Sequence, residues 1–149
     1  MKRFAAGAVQ CFAVFCFLAG ASAALAAVNM QEGQWEMTIK VKLEGLPFSM
    51  PAMTARSTQC ITKKNLVPNT SNKNQKCTIS EQKEAGDKVT WTVKCTEKDG
   101  SSSMGVGTIT YSGNALQGTI KTTSNDKNGK ATSTSTTDLS GKRKGDCPK

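Results

Sequence analysis

Residues 34–44 read QWEMTIKVKLE, and polar and apolar side chains alternate through them without a break. Successive residues of an extended chain point to opposite faces. This period of two therefore makes a strand with Trp35, Met37, Ile39, Val41 and Leu43 on a buried face and a polar face in water. Gly45-Leu46-Pro47 ends it, and Phe48 to Pro51 is a Pro-interrupted connection. A less clearly patterned second strand runs from about Ala52 to Ile61. Thr62 to Asn74 is polar, holds Pro68 and several Asn, and reads as a loop with one helical turn after Thr62.

The same period returns further along. Residues 77–84 (CTISEQKE) and 88–95 (KVTWTVKC) flank Ala85-Gly86-Asp87, which reads as a three-residue hairpin loop. Val89, Trp91, Val93 and Cys95 then share one face. Residues 103–112 and 115–124 make another hairpin across Gly113-Asn114, a favoured two-residue turn, with Tyr111 facing Leu116 and with Ile109 and Ile120 on one side. Asn128-Gly129 marks the last turn, and the final strand, about 130–142, is nearly all Thr and Ser until Leu139. No long stretch carries a helical period. Seven short strands with even turn spacing predict an all-β fold, an antiparallel up-and-down meander curled into a barrel or half-barrel.

The N-terminus sets the compartment. Met1-Lys2-Arg3 precedes a nearly uncharged stretch from Phe4 to Val28, rich in Ala, Phe, Val and Leu and ending in small residues. Early cations, an apolar run and a small-residue end are the parts of a cleavable secretory signal. Ala24-Leu25-Ala26 fits the cleavage motif, giving a signal peptide over residues 1–26 and a single disulfide-stapled β domain over 27–149. A cut after Ala23 is the alternative, and an uncleaved span is the competing reading of the run. Cys11 follows Gln10 and Cys16 follows Phe15, so neither has the small preceding residue of a lipoprotein signal. The expected location is the periplasm or the exterior, and the mature chain is not expected to be an integral membrane protein.

Loss of Lys2 and Arg3 lowers the formal charge from +9 to +7. The remaining aromatics are Trp35, Phe48, Trp91 and Tyr111, a thin supply for a core, so covalent support is expected. Four of the six cysteines, Cys60, Cys77, Cys95 and Cys147, outlast cleavage. An even count in an exported chain reads as disulfides. Folding about Gly86 puts Glu84 opposite Lys88, Ile79 opposite Val93 and Cys77 opposite Cys95. Opposed β-carbons lie roughly 4.5–5.5 Å apart, close to disulfide reach. Cys60 then pairs with Cys147. A metal or redox site is disfavoured by the absence of both CxxC spacing and histidine.

Several pieces now stand together: Gly33-Gln34-Trp35-Glu36, Val89 to Cys95, Gly113 to Gly118, Cys60, Cys77, and the ending Gly141-Lys142-Arg143-Lys144-Gly145-Asp146-Cys147. As a set, over about Gly33 to Cys147, they resemble the exported bacterial domain-of-unknown-function family 3617. The resemblance implies a periplasmic or secreted bacterial protein with this cysteine frame and brings no activity with it. A second likeness is structural. A Gly-x-Trp opening the first strand and an Arg near the end of the last look like the lipocalin signature, in which Trp and Arg pack over one barrel end. Trp35 and Arg143 would take those parts. Seven Thr-rich strands, where lipocalins have eight, depart from that pattern.

The inventory argues against catalysis. Histidine is absent, the cysteines are expected to be bonded, and no nucleophile elbow or phosphate loop occurs. No catalytic residue, metal ligand or cofactor is assigned, although an unrecognised enzyme stays among the alternatives. The expected function is a non-catalytic binding or envelope-interaction module. An alternative is a carrier of a small apolar ligand on the concave face, with Trp35, Met37, Ile39 and Val41, then Trp91 and Val93, then Ile109, Tyr111, Leu116 and Ile120. Those residues are also the core that such a small chain needs, which leaves little to line a pocket of roughly 300–1,000 Å³. A second alternative is Cu(I) held by thioethers of Met50 and Met53, with Met30, Met37 and Met104 elsewhere. Packing explains these methionines as well. The lysines are scattered, which suits attraction to an anionic envelope surface better than nucleic acid, for which no clusters with stacking aromatics exist.

Overall fold

The computed structural model describes residues 27–48, 50–69 and 74–148. The segment expected to be a signal peptide, residues 1–26 with Cys11 and Cys16, lies outside the described residues. Seven strands form: β1 (Gly33–Glu44), β2 (Met53–Ile61), β3 (Gln75–Ala85), β4 (Lys88–Glu97), β5 (Ser102–Ser112), β6 (Ala115–Asn125) and β7 (Ala131–Gly145). They make one antiparallel sheet in the order β2-β1-β7-β6-β5-β4-β3. The first strand pairs with the last, so the meander wraps round. It stops short of closure, because β2 and β3 are the two edges and share no ladder. The fold is a half-barrel, and the closed alternative does not form.

The strands are longer than the turn spacing suggested, up to the 15 residues of β7. Thr and Ser fill out that strand because β-branched and hydroxyl side chains suit a half-exposed pleated surface. The segment after Thr62 is not helical. The Asn65 amide donates to the Thr62 carbonyl at 2.9 Å in a single turn, after which Leu66, Val67 and Pro68 are buried.

The β3–β4 hairpin differs from its expected form in an instructive way. Ala85 pairs with Lys88 and Glu84 with Val89, so the turn has two residues, Gly86 and Asp87, rather than three. Gly86 takes φ 58°, the left-handed conformation such a turn favours in glycine. That turn alone would put Cys77 opposite Thr96. Between Ser80 and Lys83 the register shifts: Glu81 and Gln82 both oppose Trp91, with Glu81 at φ 52°. This bulge restores the one-residue offset. Ile79 therefore faces Val93 and Cys77 faces Cys95, as the three-residue loop would have placed them.

Two disulfides form, Cys77–Cys95 with Cα atoms 4.0 Å apart and Cys60–Cys147 with 5.5 Å. Each fastens one edge of the open sheet. Cys77 lies on β3 and is tied to β4, while Cys60 on β2 is tied to the chain just beyond β7.

The inner face is packed unevenly along the strands. At one end Trp35, Met37, Val89, Ile109, Tyr111 and Leu116 are buried, joined by Ile61 and Leu139. Tight curl there depends on missing side chains. A β-carbon on Gly107 would run into the Trp91 ring, and one on Gly141 would meet Met37 and Leu116. Large residues thus lie over glycines of the neighbouring strand. Residues outside the sheet complete this base. Val28 and Met30 of the N-terminal segment are 6% and 4% exposed, and Leu66 and Val67 from the β2–β3 connection are buried with them. Gly113 donates to the Asn29 carbonyl and Gln31 to the Gly113 carbonyl, holding the N-terminal segment against the β5–β6 turn.

Candidate functional site

The other half of the inner face is not filled. Between the curled sheet and the Asn65–Asn69 segment lies a cleft of about 470 Å³. Ile39 and Val41 of β1 form one side, Trp91 and Val93 of β4 and Ile120 of β6 the back, and Ile79 of β3 the open edge. The period of two aims these side chains inward, and cross-strand pairing aligns them, as where Ile79 meets Val93. The Cys77–Cys95 bridge is part of the same wall. Val67 and Pro68 add apolar surface, and Ser103, Thr122, Thr137, Gln75, Asn65 and Asn69 supply hydroxyl and amide residues for the rest.

The structure therefore divides the ten predicted concave-face residues. Ile39, Val41 and Val93 line the cleft, Trp91 and Ile120 are buried core residues that also border it, and Trp35, Met37, Ile109, Tyr111 and Leu116 pack in the base. The Tyr111 ring meets Trp35 edge-on at 5.9 Å, and its hydroxyl donates to the Leu66 carbonyl at 2.5 Å. Burial pushes the Tyr111 phenol above its ordinary value, since an anion there would lose its water. Arg143 is the cross-strand partner of Trp35. Its Nε donates to the Glu32 carbonyl at 2.8 Å and its terminal nitrogen pairs with Asp146. The Trp35 indole N–H donates to the Gln31 carbonyl at 3.3 Å. Both residues thus tie the N-terminal segment to the base.

The methionines are dispersed. Met30 and Met37 are buried, Met53 is half-exposed at the start of β2, and Met104 projects from the outer face of β5, where Val106 is also exposed. Among the described residues no three or more Cys, Asp or Glu side chains gather into a metal-sized group. No described helix is long and apolar enough to cross a membrane. At the turn between β4 and β5, the Ser101 hydroxyl and amide donate to Asp99 and hold its carboxyl below the usual range.

A family profile described as "Protein of unknown function (DUF3617)" matches residues 30–147. The chain belongs to this family. No curated protein and no solved structure matches it. The DUF3617 match begins at Met30 and ends at Cys147, so it takes in all seven strands, the cleft, both disulfides and the whole base except Val28. The parts of the cleft that sequence reading missed are the Asn65–Asn69 wall and the inward hydroxyl residues Ser103, Thr122 and Thr137, together with Gln75 and Ile79 of β3. Leu66-Val67-Pro68, an apolar run inside a polar loop, was the available signal for the first. The second needed the inward alternate positions of the Thr-rich strands to be counted as lining.

Proposed function

We propose that this chain is an exported, non-catalytic binding module that holds a small, largely apolar ligand in the cleft between the half-barrel and the Asn65–Asn69 segment. One observation carries the reading: Ile39 and Val41 of β1 and Val93 of β4 stay only partly buried on the inner face and, with the edges of the buried Trp91 and Ile120, border an unfilled space. The size, about 470 Å³, falls within the usual range of small-molecule sites. The thin supply of aromatics had argued against a pocket. That argument weakens because Val28, Met30 and Leu66 add to the base from outside the sheet. Ile39 and Val93 pack against that core on one side and line the cleft on the other.

Export is supported by the cysteine usage, since two disulfides suit an oxidising compartment. The test is binding of the neutral apolar fluorophore N-phenyl-1-naphthylamine to the mature protein. Val41 is half-buried on the cleft side, so Val41→Trp should fill the space without touching the base. Bright saturable binding to the wild type, weakened at least about tenfold by Val41→Trp, is expected. No binding, or equal binding by both proteins, would refute the reading.

A further inference from the structure

We infer that the ligand is an uncharged amphiphile, a hydrocarbon body ended by a hydroxyl, ester or amide head; this rests on the cleft being the ligand site. The chain is 21% charged, yet none of the sixteen residues lining the cleft carries a charge. The lining splits into two chemistries. Ile39, Val41, Val93 and Ile120, with the Trp91 ring, offer hydrocarbon. Ser103, Thr122 and Thr137 offer hydroxyls that can donate or accept. The Thr122 hydroxyl oxygen is the nearest atom to where a side chain on Gly105 would begin, so it sits on the inner face. Among the described residues, no side-chain hydrogen bond claims any of these three hydroxyls. The Gln75 amide nitrogen donates to Glu97 at 2.5 Å, which leaves its carbonyl oxygen as a further acceptor.

An ion brought against this wall would lose water and find no counter-charge. A neutral head exchanges its water for the hydroxyls at little cost. The adjoining hollow, which shares Gln75 and Ser103 with the cleft, contains Glu97, Asp99 and Asp126 beside Lys127. A carboxylate head would therefore meet a mainly acidic rim and be rejected most strongly.

The experiment displaces bound N-phenyl-1-naphthylamine with three ten-carbon chains differing only in the head: decanol, decanoate and decylammonium at neutral pH. Decanol should compete about tenfold better than decylammonium, with decanoate the weakest. A Thr122→Val/Thr137→Val variant should lose several-fold in decanol affinity, as expected for about one net hydrogen bond, and keep the fluorophore. Circular dichroism confirms its fold. Equal displacement by all three chains would overturn the inference, placing the head in water, and leave the cleft reading intact. Tighter binding of either ion would overturn it in the same way. Failure of the fluorophore to bind the wild type would remove the cleft reading and the inference together.

Discussion

At the residue scale, Tyr111 joins three parts of the molecule. Its ring packs on Trp35 of β1, its backbone amide donates to the Asp87 carbonyl in the β3–β4 turn, and its hydroxyl reaches the Leu66 carbonyl of the β2–β3 connection. Tyr111→Phe keeps the ring and leaves that carbonyl without its donor in a buried setting. The expected loss is about 1–2 kcal/mol, read by urea unfolding. The phenol also predicts a pH effect whose sign is fixed. Its folded pKa is raised, so the neutral form is favoured in the fold and its contribution is complete below the unfolded value of 10.0. Above pH 10 the unfolded chain ionises first, and stability falls with a slope approaching about 1.4 kcal/mol per pH unit. Unfolding at pH 9 and pH 11 should therefore show a steeper decline for the wild type than for Tyr111→Phe.

At the scale of elements, the β3–β4 hairpin carries the sharpest prediction. Two residues, Glu81 and Gln82, oppose Trp91, and this offset brings Cys77 level with Cys95 across a two-residue turn. Deleting Gln82 should flatten the bulge and keep the cysteines opposed, so thiol titration of the denatured variant should find no free thiol. Inserting one Gly after Lys83 should push Cys77 opposite Thr96 and expose two thiols. Both disulfides were legible in the sequence, although this one followed from a loop of the wrong length with a compensating error in the strand. Bulges leave little local trace, because Glu81 and Gln82 are ordinary surface residues and only the pairing reveals them. The β5–β6 hairpin was read correctly through to Tyr111 opposite Leu116, because Gly113-Asn114 fixes both turn and register. The base and the cleft could not be told apart from alternation. Trp35 and Ile39 carry the same inward signal on β1, yet Trp35 is fully buried in the core that Val28, Met30 and Leu66 join, whereas Ile39 is only partly buried against it.

At the scale of the whole molecule, stability depends on fastening an open sheet. The Cys60–Cys147 bridge closes a sequence separation of 87 residues and Cys77–Cys95 one of 18. Loop entropy puts their contributions at about 4–5 and about 3 kcal/mol. Paired replacement by Ser should lower the unfolding midpoint more for Cys60/Cys147 than for Cys77/Cys95. Only the second pair borders the cleft, so only that replacement should change fluorophore affinity while the protein remains folded. An equal effect on binding from both pairs would mean that the cleft senses global stability rather than its own wall.

The unpaired seam between β2 and β3 reaches beyond stability. A closed barrel can change girth only in steps, because strand number and shear must agree around the ring. A sheet with a free margin has no such rule. A slight change of twist at each of its six ladders would widen or narrow the space continuously, much as an unbuttoned cuff fits wrists of different sizes. Members of one family could thus suit guests of different bulk through scattered small substitutions, with no strand added and the packed base left untouched.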